Sequence, residues 1–240
     1  MTSPELAQKS QTNADPLIPF ERVAKFVRQL SHDFRNHLGA IDLQSAFIAE
    51  LAEDPELLAE VKKLREMVTN STKMLQGISG QFWVAAGNPI TVSARIVMED
   101  FRDRLARVLP QEAPQIQWEV ELGEELITVD LELIFQAFSE CFRNAFHFRA
   151  PKAAIAVRAA VENGFFTLTL REPKAAAGLQ PERWGRDPLV STRRGGYGLG
   201  LYHARQILAL HGGDVEFTMN EAEAILSTRI ALPLGSETPE

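Results

Sequence analysis

From Phe20 the apolar residues Val23, Val27, Leu30, Phe34, Leu38, Ile41 and Ile48 fall mostly three or four positions apart. After an interruption at Asp54-Pro55 the same spacing resumes through Leu58, Val61, Leu64, Val68, Leu75, Ile78 and Phe82. That step is the pitch of one stripe along a helix, and a proline closes one helix or opens the next. The pattern predicts two long helices running antiparallel, each apolar on one side only. Two such helices cannot enclose a core. The simplest complement is a second copy of the hairpin, which makes the expected assembly a homodimer built around a four-helix bundle.

Beyond Gly87-Asn88-Pro89 the texture changes. Short β-like runs at 116–122, 155–161, 165–170 and 225–232 alternate with helical stretches at 93–109, 131–148 and 199–211. The fold class expected is α+β, a helical hairpin followed by an α/β sandwich. The boundaries read as a flexible leader at 1–17, the hairpin at 18–87, the sandwich at 88–235 and a tail at 236–240.

A formal charge of -7 argues against a nucleic-acid coat, which needs an excess of Lys and Arg. The single cysteine, Cys141, rules out a disulfide within the chain and fits a reducing compartment, so the expected location is the cytoplasm. No run approaches the roughly 20 apolar residues of a membrane span, and none is expected to insert.

The first helix carries Leu30-Ser31-His32-Asp33-Phe34-Arg35-Asn36-His37-Leu38. His32 and Asn36 lie one turn apart on one face, while Phe34 and Leu38 face the apolar side. Histidine attacks phosphorus only as neutral imidazole, one nitrogen free and the other holding its proton against an acceptor, and Asp33 is placed to accept. His37 falls nearer the packed side and reads as structural. A His-Asp pair taken alone is more often an ordinary polar helix face.

Two further constellations follow. In Glu140-Cys141-Phe142-Arg143-Asn144-Ala145-Phe146-His147-Phe148, Glu140 and Asn144 share a face with His147 nearby, offering the hard oxygens that Mg²⁺ prefers. In Gly195-Gly196-Tyr197-Gly198-Leu199-Gly200-Leu201, glycines let backbone approach an anion closely, and the following helix start presents N–H groups to phosphate. The preceding stretch, 187–194, reads as a mobile loop. On their own, these two runs are also compatible with a polar stripe on a core helix and with a ligand-free glycine hinge.

Together the runs resemble sensor histidine kinases over about 20–234, nearly the whole chain. Ser-His-Asp-x-x-Asn resembles the dimerisation and phosphotransfer domain of that family, which implies a phosphorylated His32, oriented by Asp33, with Asn36 positioning a dephosphorylating water. The second run looks like the asparagine box of the histidine kinase and gyrase-like ATPases, implying Asn144 as the Mg²⁺ ligand and Glu140 beside the reacting phosphate, with His147 near the nucleotide. The segment 187–213 is similar to their lid and second glycine box, implying ATP contacts at Gly196, Gly198, Leu199 and Gly200.

The resemblance breaks at the first glycine box, which in the family reads Asp-x-Gly-x-Gly after a strand. Here the strand leads into Arg171-Glu172-Pro173-Lys174-Ala175-Ala176-Ala177-Gly178, with Glu172 as the only stand-in for the aspartate that receives the adenine amino group and with both glycines missing. Two functional expectations follow. One is a histidine kinase that uses Mg-ATP to phosphorylate His32 and passes the group to a response regulator receiver domain. The alternative is a histidine phosphotransferase whose ATPase-like domain has lost nucleotide and docks regulators. A gyrase-like ATPase without phosphohistidine leaves the His32 helix unexplained. Weak nucleotide binding with poor discrimination between adenine and guanine is the expected behaviour of the damaged site.

Overall fold

The computed structural model describes residues 19–82, 87–175, 181–191 and 196–235. The expected leader at 1–17 and tail at 236–240 lie outside them, as do 176–180 of the first glycine-box region and 192–195 of the loop before the second. Two compact units divide the chain, one ending at Ser79 and the other starting at Gly80.

The first unit is a helical hairpin, α1 (Phe20–Leu51) and α2 (Pro55–Gln81). Pro55 takes the first helical position, where a missing N–H costs nothing, and Asp54 accepts from the Glu56 N–H at 3.0 Å. The seam between the helices is not made by the large apolar residues. Ala24, Ser31 and Ser45 of α1 and Val61 and Val68 of α2 are the buried side chains, spaced in sevens or multiples of seven. Ser45 costs little there because its hydroxyl donates to the Ile41 carbonyl at 2.7 Å. Arg65 grips Asp42 across the hairpin at 2.9 Å, an exposed pair that sets register more than stability and holds the Asp42 carboxyl below its usual range. Leu30, Phe34, Ile41, Phe47, Met67 and Met74 stay exposed, Phe34 at 50%. His37 is also exposed within one chain, on the same stripe of α1 as Leu30, Phe34 and Ile41 and away from the seam through Ser31 and Ser45.

The second unit is an α/β sandwich. Its five-stranded sheet has the order β2-β4-β5-β7-β6, formed by β2 (Ile116–Glu121), β4 (Ile155–Glu162), β5 (Phe165–Pro173), β6 (Asp214–Asn220) and β7 (Ile225–Pro233). Only β2 and β4 pair parallel; the other pairs are antiparallel. A small antiparallel pair, β1 (Ile90–Ser93) with β3 (Leu126–Val129), lies apart from it in pairing and touches the sheet through an Ile127–Leu234 bridge. Helices α3 (Ala94–Val108), α4 (Leu131–Phe148) and α5 (Gly200–Leu210) supply the other layer.

Phenylalanines lock the layers together. Phe101 of α3 meets Phe138 and Phe142 of α4, each at 5.2 Å between ring centroids, and Trp118 of β2 stacks on Phe142 at 5.7 Å. The strand β7 alternates half-buried and buried side chains along its whole length, the period-two signature of a strand with one face on a core. Strands β1, β3 and β6 lie outside the expected elements, because β1 and β3 are four residues long and β6 buries only Val215 and Phe217.

Candidate functional site

The His32 site is held by one helix. His32 and Asp33 are exposed, at 62% and 53% of their side chains, and His32 Nδ1 lies 3.2 Å from Asp33 Oδ1. A carboxylate only accepts, so a hydrogen bond here needs the proton on Nδ1, and in a neutral imidazole that leaves the lone pair on Nε2. Asn36 Nδ2 lies 3.4 Å from the same Nδ1, a longer contact that cannot be a second hydrogen bond while that nitrogen is protonated. Gln29, one turn before Asp33, donates to Asp33 Oδ1 at 3.0 Å. It was not expected from sequence, where a glutamine on an open helix face carries no signal.

The second site gathers α4 and the start of α5. Asp130 caps α4, taking the Leu133 N–H on Oδ1 at 3.0 Å and the Asn88 N–H on Oδ2 at 2.7 Å, and these backbone donors hold its carboxyl below the usual range. From that start the helix turns Glu140 and Asn144 to a half-buried face and leaves His147 exposed, edge-on to the Phe148 ring at 4.6 Å. Glu140 is the residue that meets the glycine loop: a Cβ placed on Gly200 would lie 2.5 Å from Glu140 Oε2. A side chain at Gly200 would push that carboxylate away from the first turn of α5, where the helix dipole favours it. Arg143 balances Glu140 from the other side at 3.1 Å.

Gly198 has φ +66, in the left-handed region, and any side chain there would collide with the Val190 backbone. The Leu189 N–H donates to the Gly198 carbonyl at 3.1 Å, so the described part of the preceding loop closes on the glycine loop. Leu199 is buried and caps α5 without a side-chain hydrogen bond, and Gly196 and Gly200 are half-buried. One residue that sequence reading missed ties the two helices: His211 Nε2 accepts the Asp130 N–H at 3.0 Å while its Nδ1 donates to the Ile207 carbonyl at 2.8 Å. Cys141, between Glu140 and the core, is fully buried, and burial pushes its thiol up to about 12, which leaves it inert at neutral pH.

Glu172 stands apart from this cluster's open face. It is fully buried, and the Lys174 ammonium lies 2.6 Å from its Oε1. Burial pushes Glu172 up from the ordinary carboxylate range, against the pull of Lys174. Lys174 also donates to the Phe148 carbonyl at the end of α4, at 3.2 Å, and lies 5.8 Å from the centroids of both the Phe148 and Trp184 rings.

Tested against a bound nucleotide, the two halves differ. An uncapped helix start, a glycine loop and a half-buried amide oxygen suit phosphate and a hard cation. A carboxylate sealed by a lysine does not suit a base. Among the described residues no three His, Cys, Asp or Glu side chains gather as a metal site, and no helix is long and apolar enough to cross a membrane.

Residues 129–236 match the family of histidine kinase-, DNA gyrase B-, and HSP90-like ATPases. The sensory histidine kinase/phosphatase NtrB of Escherichia coli O157:H7 is 26% identical over 204 residues, covering 80% of this chain and 57% of the relative. The sensor protein VanSC of Enterococcus gallinarum is 24% identical over 233 residues, covering 90% of this chain and 63% of the relative. The chain thus spans little more than half the length of NtrB. Among solved structures, full-length ShkA in complex with AMPPNP aligns with a TM-score of 0.66 at 18% identity over 90% of this chain and 47% of that one. The mycobacterial sensor histidine kinase MprB aligns at 0.50 with 19% identity over 62% of this chain and all of that one. At these identities the structural likeness speaks to fold: a helical hairpin followed by an α/β sandwich of the histidine kinase ATPase type.

Proposed function

We propose that this chain is the transmitter part of a two-component histidine kinase, a reading supported by the match of residues 129–236 to the histidine kinase-, DNA gyrase B-, and HSP90-like ATPases. On this reading His32 accepts a phosphoryl group and passes it to the aspartate of a response regulator receiver domain. The observation that carries the reading is the His32–Asp33 contact on an exposed helix face, backed by Gln29. Asp33 fixes the proton on Nδ1 and leaves Nε2 as the nucleophile; Gln29 holds Asp33 in place for that task. Asn36, one turn on, is the residue that orients water when the phosphoryl group is removed.

In the sandwich, Asn144 holds Mg²⁺, and the loop from Gly196 to Gly200 holds phosphate at the start of α5, while Glu140 lies beside them. ATP, when bound, supplies the phosphoryl group. The exposed Leu30, Phe34, Phe47, Met67 and Met74 support a homodimer through the hairpin, with an expected mass near twice 26.7 kDa by light scattering. The compartment on this reading is the cytoplasm.

A second reading, a histidine phosphotransferase that takes its phosphoryl group from a regulator and not from ATP, is favoured by one observation, the sealing of Glu172 by Lys174. A two-armed experiment separates the two. Purified protein is incubated with γ-labelled ATP in one arm and with a receiver domain carrying labelled phosphate in the other, each with wild type and His32→Ala. Both readings predict loss of acid-labile label in His32→Ala. Labelling from ATP selects the kinase, and labelling from the receiver alone selects the phosphotransferase. Label that persists in the variant refutes both.

A further inference from the structure

Glu172 and Lys174 are both buried, an uncommon place for two charges, and neither has a role in the phosphate half of the site. The ammonium pairs with one carboxylate oxygen only: Nζ lies 2.6 Å from Oε1, while Oε2 has no hydrogen-bond partner among the described residues. The Lys174 side chain is anchored on several sides, by Glu172, by the Phe148 carbonyl and by the Phe148 and Trp184 rings. Its backbone is pinned too, the N–H donating to the Ala224 carbonyl at 2.8 Å. A side chain so held is a fixture of the fold and not a loose arm waiting for ligand.

The placement gives this fixture a meaning. Phe148 ends the helix that carries Glu140 and Asn144, and Lys174 bonds its carbonyl there. The pair therefore lies at the C-terminal end of the helix that presents the phosphate half. A buried carboxylate beside such a site is the group that reads an N–H donor on a ligand, because it can accept in a fixed direction and pays heavily if nothing donates. Lys174 supplies an N–H donor from the chain itself.

We propose that Lys174 determines nucleotide specificity by standing where the amino group of a base would donate to Glu172, so that the site binds a ligand by its phosphates and metal and does not read the base. The ligand class is then a Mg²⁺-bound triphosphate, with or without a nucleoside. This rests on the reading that the Gly198–Gly200 loop and Asn144 hold phosphate, and goes beyond it in assigning selectivity to one residue.

Calorimetry with ATP, GTP and inorganic tripolyphosphate, each with Mg²⁺, tests it on the full chain. Wild type should bind all three within about threefold of one another. Lys174→Ala should gain at least about tenfold for ATP over tripolyphosphate, the worth of one base-reading hydrogen bond, and adding Glu172→Gln should remove the gain. Thermal unfolding checks that each variant folds. Where Lys174→Ala does not, the charge-neutral pair Glu172→Gln with Lys174→Met stands in for it, and its ranking of the three ligands should match wild type. If wild type binds none of the three, the claim that it holds a ligand by phosphates and metal falls, whatever Lys174→Ala binds. ATP-selective binding by folded wild type, an ATP-specific loss in the neutral pair, or no gain in folded Lys174→Ala would overturn it while leaving the kinase reading intact. Absence of binding to all three ligands in wild type and in Lys174→Ala overturns it and removes the phosphate half as well; the receiver arm at His32 is unaffected by that result.

Discussion

The hairpin and the sandwich solve burial in opposite ways. In the sandwich, Phe101, Phe138, Phe142 and Phe166 are at most 1% exposed, and the buried cluster extends from α3 through the sheet. Among its described residues the hairpin buries only Ala24, Ser31, Ser45, Val61 and Val68, and leaves most of its large apolar side chains open. The sandwich is a core complete in one chain. On the proposed reading the hairpin is half of one, and the same incompleteness that calls for a partner leaves His32 on an exposed, helically fixed surface. A phosphoryl carrier, the role proposed for His32, must meet two different molecules in turn, so an exposed nucleophile on a rigid element suits it.

That contrast breaks most sharply at Phe138. Phe138→Ala should destabilise the sandwich by about 4 kcal/mol, through lost burial and the cavity left against Phe101 and Phe166. Chemical denaturation followed by Trp118 fluorescence reads it, and a change under 1 kcal/mol, on the order of an exposed-site substitution, would deny the core its completeness.

Phe34→Ala should leave that unfolding transition where it was and weaken the dimer instead, by about 2 kcal/mol for each buried ring. Sedimentation at decreasing concentration measures the change. An unaltered dimer, or a wild-type monomer at micromolar concentration, would mean the hairpin is not half of a core.

A smaller effect is expected where the sandwich fixes α4. Asp130→Ala removes the acceptor of the Leu133 and Asn88 N–H groups and should cost about 1 kcal/mol. Because those donors lower its folded pKa, Asp130 contributes stability above the ordinary aspartate range and loses it as pH falls through the lowered value. The variant should therefore lose less than wild type on acidification, and a parallel pH profile would contradict the assignment.

The smallest effect belongs to His203, buried in α5 and held neutral by its burial. Its lowered folded pKa means that stability is full above the unfolded histidine value of about 6.5 and falls as pH drops below it toward the folded one. His203→Leu should flatten the thermal-stability profile between about pH 7 and 5. An unchanged slope would assign that acid sensitivity elsewhere.

Much of the fold was legible because its elements are strongly periodic. The runs behind α1, α2 and α4 repeat the helix pitch over many turns, and β7 alternates throughout. The hairpin seam was not legible, since a reading that follows large apolar side chains passes over Ala24, Ser31 and Ser45. His211 was noted only as the end of a helix, because its partner Asp130 lies 81 residues away in the chain. Lys174 marked a missing glycine in the sequence, but its pairing with Glu172 depends on burial by Trp184 and Phe148, which spacing does not reveal. A two-residue offset at the end of a strand did carry part of the signal, since it puts both side chains on one face.

The central claim is that one nitrogen, His32 Nε2, carries the phosphoryl group, and peptide mapping of the labelled chain tests it most directly. After exposure to γ-labelled ATP and, separately, to a phosphorylated receiver domain, the account predicts acid-labile, alkali-stable phosphate on the peptide containing His32 in at least one arm, resolved by fragmentation to His32 and not His37. Phosphate on His37, or on no histidine in either arm, would contradict it.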